Sequence, residues 1–341
     1  MAKSPKVNWL SEIFVFAAKL LTHPPPKTIS AIICKSYHAN KQTIMDKKKL
    51  TIGLGEVLWD LLPEGRKLGG APANFAFFTQ QFGNDALAIS AVGNDELATE
   101  TIEALKWHGL KYITPHVPYP TGTVSVELDH NGVPSYVINE GAAWDNIPIT
   151  ADMEKAARCC KAICWGTLAQ RSEISRKSIR KIISLTPADC LRIFDINLRG
   201  TFYTKSIIEH SLENCNLLKI NDCEFCIVTE MLGYGKTTYD AGCKRIMDNF
   251  SINTIILTCG ATGSYVFTDN SGSSYIETPK VEVADTVGAG DSFTGAFCSA
   301  LLANHSIAEA HRLAVDVSAY VCTQHGAMPK LPEKITAMIA Y

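Results

Sequence analysis

The chain has 341 residues, 46% of them hydrophobic and 19% charged, with a formal net charge of −2. That length holds one large domain or two, the apolar fraction suits a globular core, and the near-zero charge leaves no electrostatic footprint for nucleic acid. Twelve cysteines are scattered without framework spacing. In so long a chain this points to reduced thiols and a cytoplasmic setting. Cys223 and Cys226 form the one C-x-x-C spacing, with no second such pair to complete a zinc set.

Residues 1–45 do not match the rest. The apolar run Ile13–Leu21 is interrupted by Lys19 and is too short to span a bilayer, so no membrane contact is expected. Lys3 and Lys6 precede it as in a targeting segment, but Glu12 intrudes and no small-residue cleavage site follows. Pro24, Pro25 and Pro26 then stop any helix. This stretch is expected to be a disordered or dispensable extension, with a targeting segment as the alternative. Met45 reads as the natural start of the remaining domain, 46–341.

From Leu50 the chain alternates strand and helix. Leu50–Gly55 reads as a buried strand, and Gly69–Asn74 opens an apolar helix with Pro72 in its first turn. Ala86–Val92 reads as strand and Glu96–Gly109 as helix. Val124–Leu128 and Ser135–Ile138 alternate around Asn131-Gly132, a hairpin signal that interrupts the rhythm and predicts a small β lid. The rhythm resumes with strand Ala162–Trp165, helix Ser172–Leu185, and strands Leu191–Ile196 and Leu217–Ile220. Helices Asp222–Leu232 and Tyr239–Phe250, strand Thr254–Thr258 and hairpin Ser264–Ile276 follow. A strand-like run, Tyr275–Val283, is broken by Pro279, and helices Phe293–Leu302 and Ser306–Thr323 finish the core. Such alternation predicts a mostly parallel sheet with helices on both faces and ligands at the carboxyl ends of the strands.

Asp285-Thr-Val-Gly-Ala-Gly-Asp291 carries the strongest chemical signal. It reads as a glycine-bearing turn opening a helix, where free N–H groups at the positive dipole end form an anion site. A carboxylate there would repel an anion. It makes sense if Asp291 takes a proton from a hydroxyl attacking a phosphorus held by those amides. It also makes sense as a helix N-cap, and both readings stand on the residues alone. The dinucleotide fingerprint is excluded because Phe293 stands where its last glycine belongs. A Walker A loop is excluded because Glu230 precedes Gly235-Lys236-Thr237 where glycine is required. Asp60, just past the first strand, could accept two sugar hydroxyls or be a solvated loop residue.

The stretch 285–291 resembles the C-terminal signature of the ribokinase-like, or PfkB, carbohydrate kinases. Gly69-Gly-Ala-Pro-Ala-Asn74-Phe-Ala76 resembles the N-terminal signature of the same family, in fructokinase-like wording. Gly166–Arg171, Asp195–Arg199, Leu218–Glu224 and Thr258–Gly263 resemble further family blocks in order. The resemblance implies a ribokinase-like α/β fold with a lid drawn from about 56–68 and 112–142. It implies an ATP- and Mg²⁺-dependent kinase for a sugar primary hydroxyl, with D-fructose the expected acceptor. Ribose, 2-keto-3-deoxygluconate and a non-catalytic sugar-binding regulator are the alternatives.

By position, Asp291 would be the general base, with Gly288, Ala289 and Gly290 the anion hole. Asp60, Gly69, Gly70 and Asn74 would hold the sugar. Arg199 would clamp a phosphate or the sugar's far end, and Arg171 is a weaker substrate candidate. Asn197, Asn221, Glu224, Thr258, Gly260 and Gly263 would serve the nucleotide, with Glu224 reaching Mg²⁺ through water. Asp285 and the carbonyl of Val287 match where many relatives bind a monovalent cation such as K⁺. Lids in this family often pair between subunits, so a homodimer is the implied assembly. Leu58 departs from the ribokinase pattern, which has Asn there.

Overall fold

The structure, a computed structural model, describes residues 48–62, 65–128, 134–269 and 272–339. The expected extension at 1–45 and the Asn131-Gly132 turn lie outside the described residues. The chain begins with β1 (Leu50–Leu54), β2 (Leu58–Leu62), β3 (Gly65–Gly69), α1 (Ala71–Gln81), β4 (Asp85–Ile89), α2 (Glu96–Trp107) and β5 (Lys111–Ile113). Next come β6 (Gly122–Leu128), β7 (Pro134–Ile138), α3 (Ala151–Cys159), β8 (Ala162–Trp165), α4 (Glu173–Ser184), β9 (Leu191–Asp195), α5 (Lys205–Asn214) and β10 (Leu217–Asn221). The chain continues with α6 (Asp222–Met231), α7 (Tyr239–Phe250), β11 (Thr254–Thr258), β12 (Gly263–Thr268) and β13 (Gly272–Glu277), then α8 (Ala289–Leu302), α9 (Ile307–Cys322) and α10 (Glu333–Thr336).

Nine strands form one sheet in the order β13-β12-β11-β10-β9-β8-β1-β4-β5. It is parallel from β11 to β5, and β12 runs antiparallel to both of its neighbours, β11 and β13. Side chains leave successive strand residues on opposite faces, and the core divides accordingly. Ile52, Ile163, Phe194, Leu218 and Ile255 belong to one apolar layer, whereas Ala162, Ile193, Leu217 and Ile256 belong to the other. Both faces are covered, as a parallel sheet requires. A second, four-stranded sheet has the order β3-β2-β6-β7. Lys111–Ile113 pairs with β4 in the large sheet, so the small sheet takes its second hairpin from residue 122 onward.

α1 and α8 share the second layer through Phe75, Phe78, Phe293, Ala296 and Phe297. Their approach needs a bare Cα. A Cβ at Gly295 would lie 2.7 Å from the Cβ of Phe78 and 3.2 Å from the Phe75 carbonyl. This packing brings the N-terminal turns of the two helices together.

Two expectations at the key turn change. The strand expected over Tyr275–Val283 stops at Glu277, because Pro279 lacks the N–H that would continue a ladder. Val281 and Val283 are exposed, so the turn at 285–288 follows a loop and not a strand. The helix expected from Phe293 begins at Ala289 with Gly288 as its N-cap. Asp291 is therefore the third helical residue, and the reading of Asp291 as the cap does not hold.

Candidate active site

A cleft of about 1640 Å³ opens at the carboxyl ends of β1, β9, β10 and β11. Its floor is the first turn of α8. Gly288 takes a left-handed φ of 79°, as the turn requires. The Ala289 N–H makes a long 3.3 Å bond to the Thr286 carbonyl. Among the described residues the N–H groups of Gly288, Gly290 and Asp291 have no hydrogen-bond acceptor. A side chain at Gly290 would meet the Lys219 ammonium at 3.0 Å. Free amides, a helix dipole and a lysine thus converge on one spot, which favours an anion.

Asp291 faces the same spot. Its Oδ2 accepts a 2.7 Å hydrogen bond from Asn74 Nδ2. Desolvation in the cleft and the nearby Asp195 carboxylate push its acid up to about 6, against the pull of Asn74, Lys219 and Arg199. Asn74 is buried, and its Oδ1 has no hydrogen-bond partner among the described residues. Lys219 is buried and pairs with Asp195 at 3.1 Å. Burial alone would lower its ammonium pKa, but Asp195, Glu224 and Asp291 together hold it above the usual lysine value.

The other expected residues mostly gather here. Asp60, Gly69, Gly70, Asn197, Arg199, Asn221, Glu224, Thr258, Gly260, Gly263, Asp285 and Val287 all line the cleft. Asp60 stands opposite Lys67 in the β2–β3 register. Burial raises its carboxyl, and the charges of Arg199 and Lys67 oppose that rise. Asn221 caps α6 by accepting from the Glu224 N–H at 2.8 Å, and Glu224 accepts from the N–H groups of Asn221 and Leu198 at 2.9 Å each. Glu224 therefore fastens the loop carrying Arg199 to β10. Asp285 accepts from the N–H groups of Val287 and Gly326, stapling the key turn to the loop after α9.

Arg171 does not line the cleft. It grips buried Asp145 through Nε and Nη2 at 2.8 Å each and donates to the Asn139 carbonyl at 2.7 Å. Its guanidinium also lies over Trp144 and Phe202. These contacts make it a brace for the segment that follows β7. Conversely, Glu56, Asp195 and Lys219 were not singled out by sequence reasoning. A charge inside an apolar strand run, as in Leu217-Leu-Lys-Ile, was the available signal.

The donor set suits Mg²⁺ carried on phosphates. Asn221 and Glu224 offer oxygen ligands already engaged with amides, which fits a hard cation that keeps its waters. Among the described residues no three His, Cys, Asp or Glu side chains gather as a metal cage. No helix among them is long and apolar enough to cross a membrane.

The chain belongs to the pfkB family of carbohydrate kinases, whose sequence model matches residues 64–334. It is 26% identical over 321 residues to probable fructokinase-3 of Arabidopsis thaliana, covering 86% of this chain and 91% of that one. It is 24% identical to the ATP-dependent 6-phosphofructokinase of Thermoanaerobacterium thermosaccharolyticum, covering 89% and 98%. The fold matches that of the fructokinase of Xylella fastidiosa solved with bound ATP, with a TM-score of 0.74, 18% identity, and 86% and 98% of the chains covered.

Breaking a buried ion pair leaves its partner charge uncompensated, at a cost of about 3–5 kcal/mol. Arg171→Ala is therefore expected to lower unfolding free energy in urea by that amount and to leave the sugar KM of the folded protein unchanged. A stable variant with weakened sugar binding would make Arg171 a ligand after all.

Proposed function

We propose that this carbohydrate kinase transfers the γ-phosphoryl group of ATP to the primary hydroxyl of D-fructose, with Asp291 as general base. The observation that carries the reading is the Asn74–Asp291 hydrogen bond set beside unpartnered α8 amides. Asp291 accepts the hydroxyl proton as the sugar oxygen bonds to the γ-phosphorus and the bond to the bridging oxygen of ADP breaks. The amides of Gly288 and Gly290 and the Lys219 ammonium stabilise charge on the phosphoryl oxygens. Asn74 and Asp60 orient the sugar, and Leu58 supplies an apolar wall. The nucleotide occupies the end lined by Thr258, Gly260 and Gly263. Mg²⁺, held through water by Asn221 and Glu224, would neutralise phosphate charge when bound. A monovalent cation at Asp285 and the Val287 carbonyl would act only on the shape of the turn. The small sheet serves as the lid over the sugar end. The eleven cysteines of the described region are free, which accords with work in a reducing compartment.

A second acceptor class is favoured by one observation. Lys67 and Arg199 both act electrostatically on Asp60, so the sugar end could also hold an acceptor bearing a distal anion. The 6-phosphofructokinase relative is consistent with that.

Initial rates with saturating MgATP and fructose, fructose 6-phosphate, ribose, glucose or 2-keto-3-deoxygluconate decide between them. Fructose is expected to give the highest kcat/KM. An anionic acceptor winning by more than about tenfold would replace it.

The pH profile has a defined sign. The base must be unprotonated, and its folded value is raised to about 6. The kcat/KM is therefore expected to fall as pH drops through about 6, well above the usual Asp range. Asp195→Asn removes a charge that raises that value, so the acid limb should move to lower pH. A limb near 4 in the wild type, or no movement in the variant, would contradict the assignment.

A further inference from the structure

Glu56 follows β1 and is only 2% exposed, yet it lines the active-site cleft. It bonds its own backbone N–H, and its Oε2 has no hydrogen-bond partner. A buried carboxyl oxygen without a partner is costly unless something arrives to satisfy it. Its neighbours are mostly of its own sign. Asp195 and Asp291 both act on it, and Lys219 is already committed to Asp195.

One cation in the same cleft is unspent. Arg199 is exposed, and its one hydrogen bond among the described residues runs from Nη1 to the adjacent Leu198 carbonyl at 3.2 Å. Its backbone anchor is firm, because Glu224 holds the Leu198 N–H at 2.9 Å. Asn197, two residues before it, turns the chain with a left-handed φ of 43°. The Arg199 charge already acts on Glu56, Asp60 and Asp291. An orphaned buried acceptor thus shares the cleft with a guanidinium fork whose charge reaches it, two groups of the kind that form the strongest charge-assisted hydrogen bonds.

We infer that Glu56 is a positioning residue that seats the Arg199 guanidinium against the transferring phosphoryl group once the cleft fills. The inference rests on the phosphotransfer reading above. A guanidinium held on one side by Glu56 presents its remaining N–H groups to phosphoryl oxygens on the other. An Arg199 left in solvent would lose orientation on every turnover. The competing possibility, a direct Glu56 contact to a sugar hydroxyl, would act on sugar affinity instead.

The test is a double-mutant cycle on Glu56→Gln, Arg199→Lys and the double variant. Calorimetry gives the affinity of each for the Mg²⁺ complex of the β,γ-imido analogue of ATP relative to MgADP, a ratio that isolates the γ-phosphoryl group. Each single variant is expected to reduce that ratio by about tenfold, and the double variant no further, as for two residues sharing one interaction. In turnover the same variants should lower kcat while the sugar KM stays constant. Multiplicative losses in the double variant, a wild-type ratio in either single variant, or a loss confined to sugar KM would overturn the inference. Glu56→Asp keeps the charge and shortens the reach, and an intermediate ratio is expected from it. Should Glu56→Gln not fold, a wild-type ratio in Glu56→Asp or in Arg199→Lys overturns the inference by itself. Failure of the wild type to phosphorylate any sugar would remove the phosphotransfer reading, while the calorimetric ratios would still decide whether Glu56 and Arg199 act together.

Discussion

Everything at the site depends on a carboxylate held where a carboxylate is least comfortable. Asp291 sits in the first turn of α8, in a desolvated cleft, with Asp195 nearby. The helix dipole and free amides favour its charge, while burial and Asp195 oppose it. The balance leaves a carboxyl at about 6, ionised at neutral pH yet far more basic than a surface aspartate. The hydrogen bond from Asn74 aims it. That bond exists because α1 and α8 pack closely enough at Gly295 to bring their first turns together.

The cations around it are placed with different degrees of freedom. Lys219 is fixed, since it rises from a buried strand and is locked to Asp195. Arg199 is tethered at its backbone and loose at its head. A fixed charge contributes electrostatic stabilisation without reorganisation, whereas a loose one must be collected by the ligand and its supports. Small spatial errors matter under these conditions, because catalysis by positioning is steep in distance.

Much of the fold was legible because the strands of a parallel sheet read as short apolar runs. Ala162–Trp165 and Thr254–Thr258 match the observed strands residue for residue. β5, three residues long, and the polar helices α3 and α5 carry no such signal and were not foreseen. The residues singled out by motif, from Asp60 to Asp291, mostly line one cleft. Arg171 does not, because its guanidinium turns to buried Asp145. Glu56 follows β1, Asp195 ends β9 and Lys219 lies within β10, and their mutual approach is a property of the sheet order, invisible in any local window.

The most direct test of this account is Asp291→Asn. The substitution keeps the shape and the contact with Asn74 but removes the proton acceptor. The variant is predicted to fold and to bind the imido analogue of ATP and the sugar with affinities close to those of the wild type. Its kcat should fall by roughly 10²–10⁴-fold, the range expected for a lost general base. Near-normal turnover in a well-folded variant would contradict the account, because Asp291 would then be a structural residue of α8 and the proton would leave by another route.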